Sequence, residues 1–197
     1  VRILAFTDFR CPHCKAVIEV LHRIAAEHGS RVEIRFKDFP LSRASRISDD
    51  TMRKYETRKY GCYSCPISCG GIMEVKEGPY PLAESHKPEY ETLCALGSLL
   101  CIDDLAAIAK GNELCNRYGL DTISTGVAIG FAMECYEKGV ITDKDTEGIE
   151  LTFGNYEAVI TILNKIACRK GLGAVLSEGV KNAAEIIGHN TERFAVH

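Results

Sequence analysis

Asn112-Glu-Leu-Cys-Asn-Arg-Tyr-Gly-Leu-Asp-Thr-Ile-Ser124 decides how this 197-residue chain is read. It holds the end of one helix and the start of another. The run from Asp103 to Tyr118 has helical texture, Gly119 falls where a left-handed residue closes a helix, and a second run continues from Thr122 to Lys138. The same punctuation recurs on both sides. Helices are expected over Glu89 to about Leu100, Tyr156 to Arg169 and Ala174 to Ile187; Gly139 ends the Thr122–Lys138 run, and Gly171 and Gly188 the last two helices. Asp103 and Asn155 read as N-caps. Ala158, Val159, Ile162, Leu163, Ile166 and Ala167 form one apolar stripe, the mark of a core-facing helix. The fold class is therefore mainly α.

Upstream the texture changes. Val1 to Leu41 reads as strand–helix–strand: an apolar run over Arg2–Asp8, helical periodicity over Lys15–Glu27, and period-two alternation over Arg31–Phe36. A composition break near residues 42–48 divides the chain into an N-terminal βαβ unit, 1–44, and a helical domain, 45–197. A polar helix is expected over Asp49–Lys59, then a cysteine loop, then a Gly/Pro-rich stretch. Leu151–Phe153 reads as a short extended piece, and Thr142–Glu147 as an exposed turn.

The composition excludes several classes of function. A formal net charge of −3 with scattered basic residues gives no footprint for nucleic acid. No apolar run approaches the ~18 residues of a membrane span. The chain begins at Val1 and shows no signal peptide, so it reads as a processed protein or a fragment of a longer one. Of the 10 cysteines, Cys94, Cys101, Cys115, Cys135 and Cys168 stand singly on apolar helix faces, where a thiol acts as a small hydrophobe. A reducing compartment, the cytoplasm, is expected. Met73 and Met133 read as core, His86 and His189 as solvent-facing loop residues.

Two cysteine groups carry chemistry. Cys62-Tyr-Ser-Cys65-Pro-Ile-Ser-Cys69 is C-x2-C-x3-C, flanked by Gly61, Gly70 and Gly71. Three thiolates so spaced suit an iron–sulfur cluster, which usually takes four; a zinc-binding or vacant thiol cluster is the alternative. Cys11-Pro-His-Cys14 lies between a strand and a helix, where helix amides and His13 favour a thiolate at Cys11.

The first segment resembles the start of DsbA-like thioredoxin-fold proteins, through Asp8-Phe-Arg-Cys-Pro-His-Cys14 and Lys37-Asp-Phe-Pro-Leu41. The resemblance implies Cys11 as the attacking thiol and Cys14 as the resolving one of a thiol–disulfide oxidoreductase. No later strand with the cis-proline loop of that fold is recognisable.

From Arg46 onward the chain resembles the tungsten-dependent aldehyde:ferredoxin oxidoreductases. The matching blocks are Gly61–Cys69, Pro88-Glu-Tyr-Glu-Thr92 with Leu96-Gly97, Asp103-Asp-Leu105, Asn112–Ser124 and Phe131–Gly139, in one order. The resemblance implies oxidation of a small aldehyde to a carboxylic acid at a tungsten (or molybdenum) bis-pterin, with an adjacent 4Fe-4S cluster passing electrons to ferredoxin. It assigns Cys62, Cys65 and Cys69 to the cluster. Asn116, Gly119, Leu120 and Asp121 fall on a pterin motif, with Asn116 where the family has Asp. A catalytic glutamate falls at Glu89 or Glu91, and in an apolar pocket it would carry a raised pKa. The resemblance also implies that a pterin-base domain, the fourth cluster cysteine and a catalytic His lie outside residues 46–197. A chain cut short in this way, or a non-catalytic chimera of two modules, would expose apolar helix faces and self-associate as a homo-oligomer.

Overall fold

A computed structural model describes residues 2–7, 12–29, 33–38 and 41–195. The chain is mainly helical, with two small sheets. Strands β1 (Arg2–Thr7) and β2 (Glu33–Asp38) flank helix α1 (Pro12–His28) and pair in parallel, Arg2 opposite Glu33 and Thr7 opposite Asp38. The expected strand–helix–strand is present, with β2 displaced two residues toward the C-terminus. Cys11 lies outside the described residues. Cys14 falls in α1, but the surroundings of its side chain are outside the description too.

Two short helices, α2 (Leu41–Ala44) and α3 (Asp49–Met52), follow. The expected helix to Lys59 stops at Met52, and the chain turns into β3 (Glu56–Tyr60), β4 (Gly70–Val75) and β5 (Leu82–His86), an antiparallel sheet in that order. The Gly/Pro-rich stretch thus hides two strands. Their glycines are structural: a Cβ on Gly70 would stand 2.7 Å from the Tyr60 ring, and one on Gly71 2.7 Å from Glu56 Oε2. The side chains of β3 lie across β4 in the space these glycines leave. Met73, Val75 and Leu82 of this sheet cluster with Ala109 of the helical body.

Helices α4 (Tyr90–Leu96), α5 (Leu105–Tyr118), α6 (Thr122–Glu137), α7 (Tyr156–Cys168), α8 (Leu172–Leu176) and α9 (Gly179–Ile187) form that body. The capping residue of α5 is Asp104, which accepts from the Ala107 amide at 2.9 Å. Asp103, the expected cap, instead binds Arg43 Nε at 3.1 Å and Arg46 at 3.0 Å. Arg43 also donates to the Cys101 carbonyl. This clamp ties the break near residues 42–48 to the helical body. Asn155 caps α7 as expected, accepting from the Ala158 amide at 3.1 Å.

Gly119, Gly139 and Gly188 have positive φ just beyond α5, α6 and α9. After α7 the left-handed residue is Arg169, not Gly171, and Lys170 closes the end on the Lys165 carbonyl. The single helix expected over residues 174–187 is two, because Gly179 adopts φ +83° between α8 and α9. Leu151–Phe153 forms no strand. Within Thr142–Glu147 only Thr146 is buried, while Asp145 binds the amide and hydroxyl of Thr142.

Helix α6 is the axis of the core. Its middle, residues 125–135, is mostly apolar and is buried or half-buried on every side, and the helix packs against α4, α7, α8 and α9. The stripe of α7 is buried as expected at Ala158, Val159, Ile162, Leu163 and Ile166, and Met73 and Met133 are fully buried. Burying side chains such as Ile162 and Leu163 stabilises the fold by about 2 kcal/mol each. Cys101, Cys115 and Cys135 are buried, whereas Cys94 and Cys168 are exposed, because both sit on the outer faces of their helices. Among the described residues no single helix is long and apolar enough to cross a membrane.

Where α6 crosses α4 the backbones nearly touch: a Cβ on Gly126 would lie 2.4 Å from the Ala95 carbonyl oxygen. Neither partner there is a flexible side-chain tip. Gly126→Ala is expected to destabilise the fold by about 1–3 kcal/mol despite the better helix propensity of Ala, read as a lower urea midpoint with unchanged slope.

Candidate functional site: the cysteine hairpin and the α5–α6 turn

Cys62, Cys65 and Cys69 lie in the loop joining β3 to β4, just beyond the closing pair Tyr60–Gly70. A turn closes on itself from the Cys65 amide to the Cys62 carbonyl at 3.0 Å. Ser64 and Ser68 have positive φ. Such serines bend the loop back on itself. Cys62 and Cys69 are exposed and Cys65 half-buried. Tyr63 and Ile67 point outward, 99% and 77% exposed. Among the described residues no three His, Cys, Asp or Glu side chains converge as a ready metal site. The donor set still fits an iron–sulfur cluster in kind: three free thiols on one short, accessible loop.

The stem of this hairpin is polar and tightly paired. Tyr60 Oη and His86 Nδ1 are 2.8 Å apart, with their rings edge to face at 5.3 Å. His86 faces solvent as expected, but it is the last residue of β5 rather than a loop residue, and its ring is hydrogen-bonded. Its carbonyl accepts from Asn112 Nδ2 at 2.9 Å, a buried side chain of α5. Beside it Lys87 pairs with Glu56 at 3.0 Å, both side chains nearly buried. Burial raises the Tyr60 phenol pKa; the charges of Glu89, Cys62 and Cys69 raise it further and Lys87 opposes them. Tyr60 is thus within electrostatic reach of both ends of the cysteine loop and of Glu89.

Glu89 is the N-terminal boundary residue of α4 and its side chain makes no cap. Glu91 lies in the first turn of the same helix. Both are exposed, so the apolar pocket expected around a catalytic glutamate is not formed among the described residues.

The Asn116–Asp121 motif is a helix-to-helix turn. Leu120 N–H donates to the Cys115 carbonyl at 2.8 Å and Gly119 N–H to the Asn116 carbonyl at 3.4 Å, the paired bonds of a Schellman end. Asp121 then caps α6, accepting from the Ser124 amide at 2.6 Å. That bond holds its carboxyl below the usual carboxylate range, helped by the Ser124 hydroxyl and the Ile123 amide. Asn116 and Asp121 both face solvent, so the turn exposes an amide and a carboxylate that is ionised at neutral pH. Behind it the Cys115 thiol, desolvated by burial, is pushed up to about 11, and Cys135 for the same reason to about 12. Neither forms a thiolate near neutrality, which fits their role as small hydrophobes. Sequence reading missed Tyr60 and His86. A Tyr before a Gly-Cys pair and a His before Lys-Pro are weak signals until the sheet places them side by side.

The helical body thus presents a cysteine hairpin and a capped helix-to-helix turn. Residues 19–197 match the family model described as aldehyde ferredoxin oxidoreductase, domains 2 & 3. The chain belongs to the aldehyde ferredoxin oxidoreductase family. The match begins inside α1 and so takes in part of the segment that resembles a thioredoxin-like start. The chain is 40% identical over 172 residues to a tungsten-containing aldehyde ferredoxin oxidoreductase of Thermococcus kodakarensis, covering 86% of this chain and 28% of that protein. It is 43% identical to the protein of the same name from Pyrococcus furiosus, over 69% of this chain and 22% of the relative. A second Pyrococcus furiosus protein, the WOR-like subunit of an aliphatic sulfonate oxidoreductase, is 35% identical over 74% of this chain and 24% of its own length. The chain spans about a quarter of the length of these curated relatives. Among solved structures, the active-site complex BamBC of benzoyl coenzyme A reductase with 1,5-dienoyl-CoA superposes with a TM-score of 0.64 at 31% identity, covering 74% of this chain and 21% of that one.

The Asp121 cap gives a pH-dependent prediction. A depressed folded-state pKa means stability that is complete above the unfolded carboxyl value of about 3.8 and lost as pH falls through the lower folded value. Asp121→Ala is expected to cost about 1 kcal/mol at pH 7. The difference from the parent chain should shrink in the acid range to the part that a neutral cap keeps, and Asp121→Asn should retain that part at both pH values. Urea melts at pH 7 and at pH 3 read both effects.

Proposed function

We propose that this chain forms the iron–sulfur and pterin-binding helical part of a tungsten aldehyde:ferredoxin oxidoreductase. The observation that carries the reading is the coincidence of family and geometry. A chain matching this family over residues 19–197 sets three free thiols on one hairpin loop. Cys62, Cys65 and Cys69 would hold the 4Fe-4S cluster. Asn116, Gly119, Leu120 and Asp121 would face the pterin, whose ring edge alternates donors and acceptors and so suits an amide beside a carboxylate. When bound, the tungsten (or molybdenum) bis-pterin would supply the two-electron oxidation of an aldehyde to a carboxylic acid, and the cluster one-electron passage to ferredoxin.

The chain's own residues have three tasks in this scheme. The hairpin stem orients the thiolates. The Asp121 carboxylate, kept ionised by the α6 amides, accepts ring N–H groups. Of the two glutamates, Glu89 is assigned the proton exchange with the substrate, because its charge, and not that of Glu91, reaches Tyr60 at the loop stem. Eight free cysteines among the described residues suit a reducing compartment such as the cytoplasm.

Reconstitution with iron and sulfide under anaerobic conditions tests the cluster. The wild-type chain is expected to develop a broad absorbance near ~400 nm that bleaches with dithionite, and Cys65→Ala to lose most of it. Equal spectra for the two proteins would sink the assignment.

A further inference from the structure

The hairpin stem contains a bridge that the cluster and pterin assignments do not use. Tyr60 and His86 stand on β3 and β5, the two outer strands of the sheet, with β4 between them. Tyr60 pairs with Gly70, and His86 with Ile72 two residues further along β4. The Tyr60 ring lies against the bare backbone of Gly70 and reaches across β4 to His86 Nδ1 at 2.8 Å. His86 is itself fixed through its carbonyl by buried Asn112 of α5. A chain of contacts therefore runs from the helical core through His86 and Tyr60 to the residue that precedes Gly61-Cys62. The loop's other end, Cys69, precedes the very glycine on which Tyr60 rests. One hydrogen bond thus braces both ends of the cysteine loop.

We infer that Tyr60 and His86 are positioning residues for the outer thiolates, Cys62 and Cys69, and so set how firmly the hairpin holds its cluster. The inference rests on the cluster assignment above, but it makes a separate claim about thiol spacing. Groups hydrogen-bonded directly to metal ligands typically change metal retention 10–100-fold when removed. The Tyr60–His86 bridge acts one step further back, through the backbone at Gly61 and Gly70, so the low end of that range applies. Within the loop one turn closes on the Cys62 carbonyl, while the Cys62 and Cys69 side chains are exposed.

Three substitutions isolate the bridge. Tyr60→Phe keeps the ring on Gly70 and removes the hydroxyl. His86→Ala removes the partner. His86→Asn is the conservative rescue, since an Asn Oδ1 falls near the position of Nδ1. Two measurements are made on each full chain. In the metal-free protein, dibromobimane bridging of Cys62 to Cys69 is read by mass spectrometry. In the iron- and sulfide-reconstituted protein, iron release to a chelator and the electron paramagnetic resonance signal of the dithionite-reduced cluster are followed.

Tyr60→Phe and His86→Ala are expected to cut bridging several-fold, to speed iron release roughly tenfold and to broaden the resonance signal. His86→Asn is expected to restore all three, and melting temperatures are expected to stay close to wild type. Equal bridging in wild type and variants overturns the positioning role even where the cluster assembles. Reduced bridging in the variants with no cluster in wild type supports the positioning role and refutes the cluster assignment instead. A failed rescue by His86→Asn assigns the effect to the imidazole ring rather than the hydrogen bond, and overturns the bridge as stated.

Discussion

The burial of the middle of α6, residues 125–135, on every side is the constraint from which the rest of the architecture follows. A stretch so largely apolar must be surrounded, and here four helices do so, α4 most closely where Gly126 meets the Ala95 carbonyl. That approach fixes α4, whose N-terminus carries Glu89 and Glu91. The threonine pair Thr92–Thr122, hydroxyls 2.8 Å apart, ties the start of α4 to the start of α6. The α5–α6 turn is thereby held against the same end of the molecule. Through Asn112 and His86, α5 in turn positions the sheet, and the sheet positions the cysteine loop. The candidate site is thus an outgrowth of one buried helix, reached through a short series of named contacts.

The helical body was legible in the sequence because its signals are local. Apolar spacing in α7, the Asn155 cap and Gly119 beyond α5 each depend on residues within a turn or two. The three-stranded sheet was not legible, because its strands hold few apolar residues in period two. Glu56–Tyr60 has the composition of a polar helix, and only pairing with Gly70–Met73 makes it a strand. Gly70 and Gly71 look like loop residues and are instead the floor under Tyr60 and Glu56. Asp103 and Asp104 differ by one position, and sequence alone does not tell a helix cap from the anchor of two arginines.

For the site, residue types and spacing identified the cysteines and the Asn116–Asp121 turn, while their supports were invisible. The structure also separates two duties in that turn that the motif merges. Gly119 and Asp121 are required by the helix ends themselves, whether or not a ring lies against them. The family relationship is correspondingly broad: relatives named for aldehydes and for aliphatic sulfonates both share this part of the chain. A scaffold held by capping and packing is compatible with different substrates, since the chemistry that separates them need not be built from the residues that hold the turn.

Asn116 has a mutational consequence of its own. It occupies the last turn of α5, at the negative end of the helix dipole, where an aspartate would be disfavoured. Its backbone carbonyl serves the Schellman end, while its side chain is not needed to hold the turn. Exchange between Asp and Asn at 116 therefore trades surface charge against helix stability, whereas at 121 either residue caps α6. The two ends of one short motif thus answer to their helices on different terms: at 121 the exchange leaves the cap of α6 in place, and at 116 it alters the end of α5.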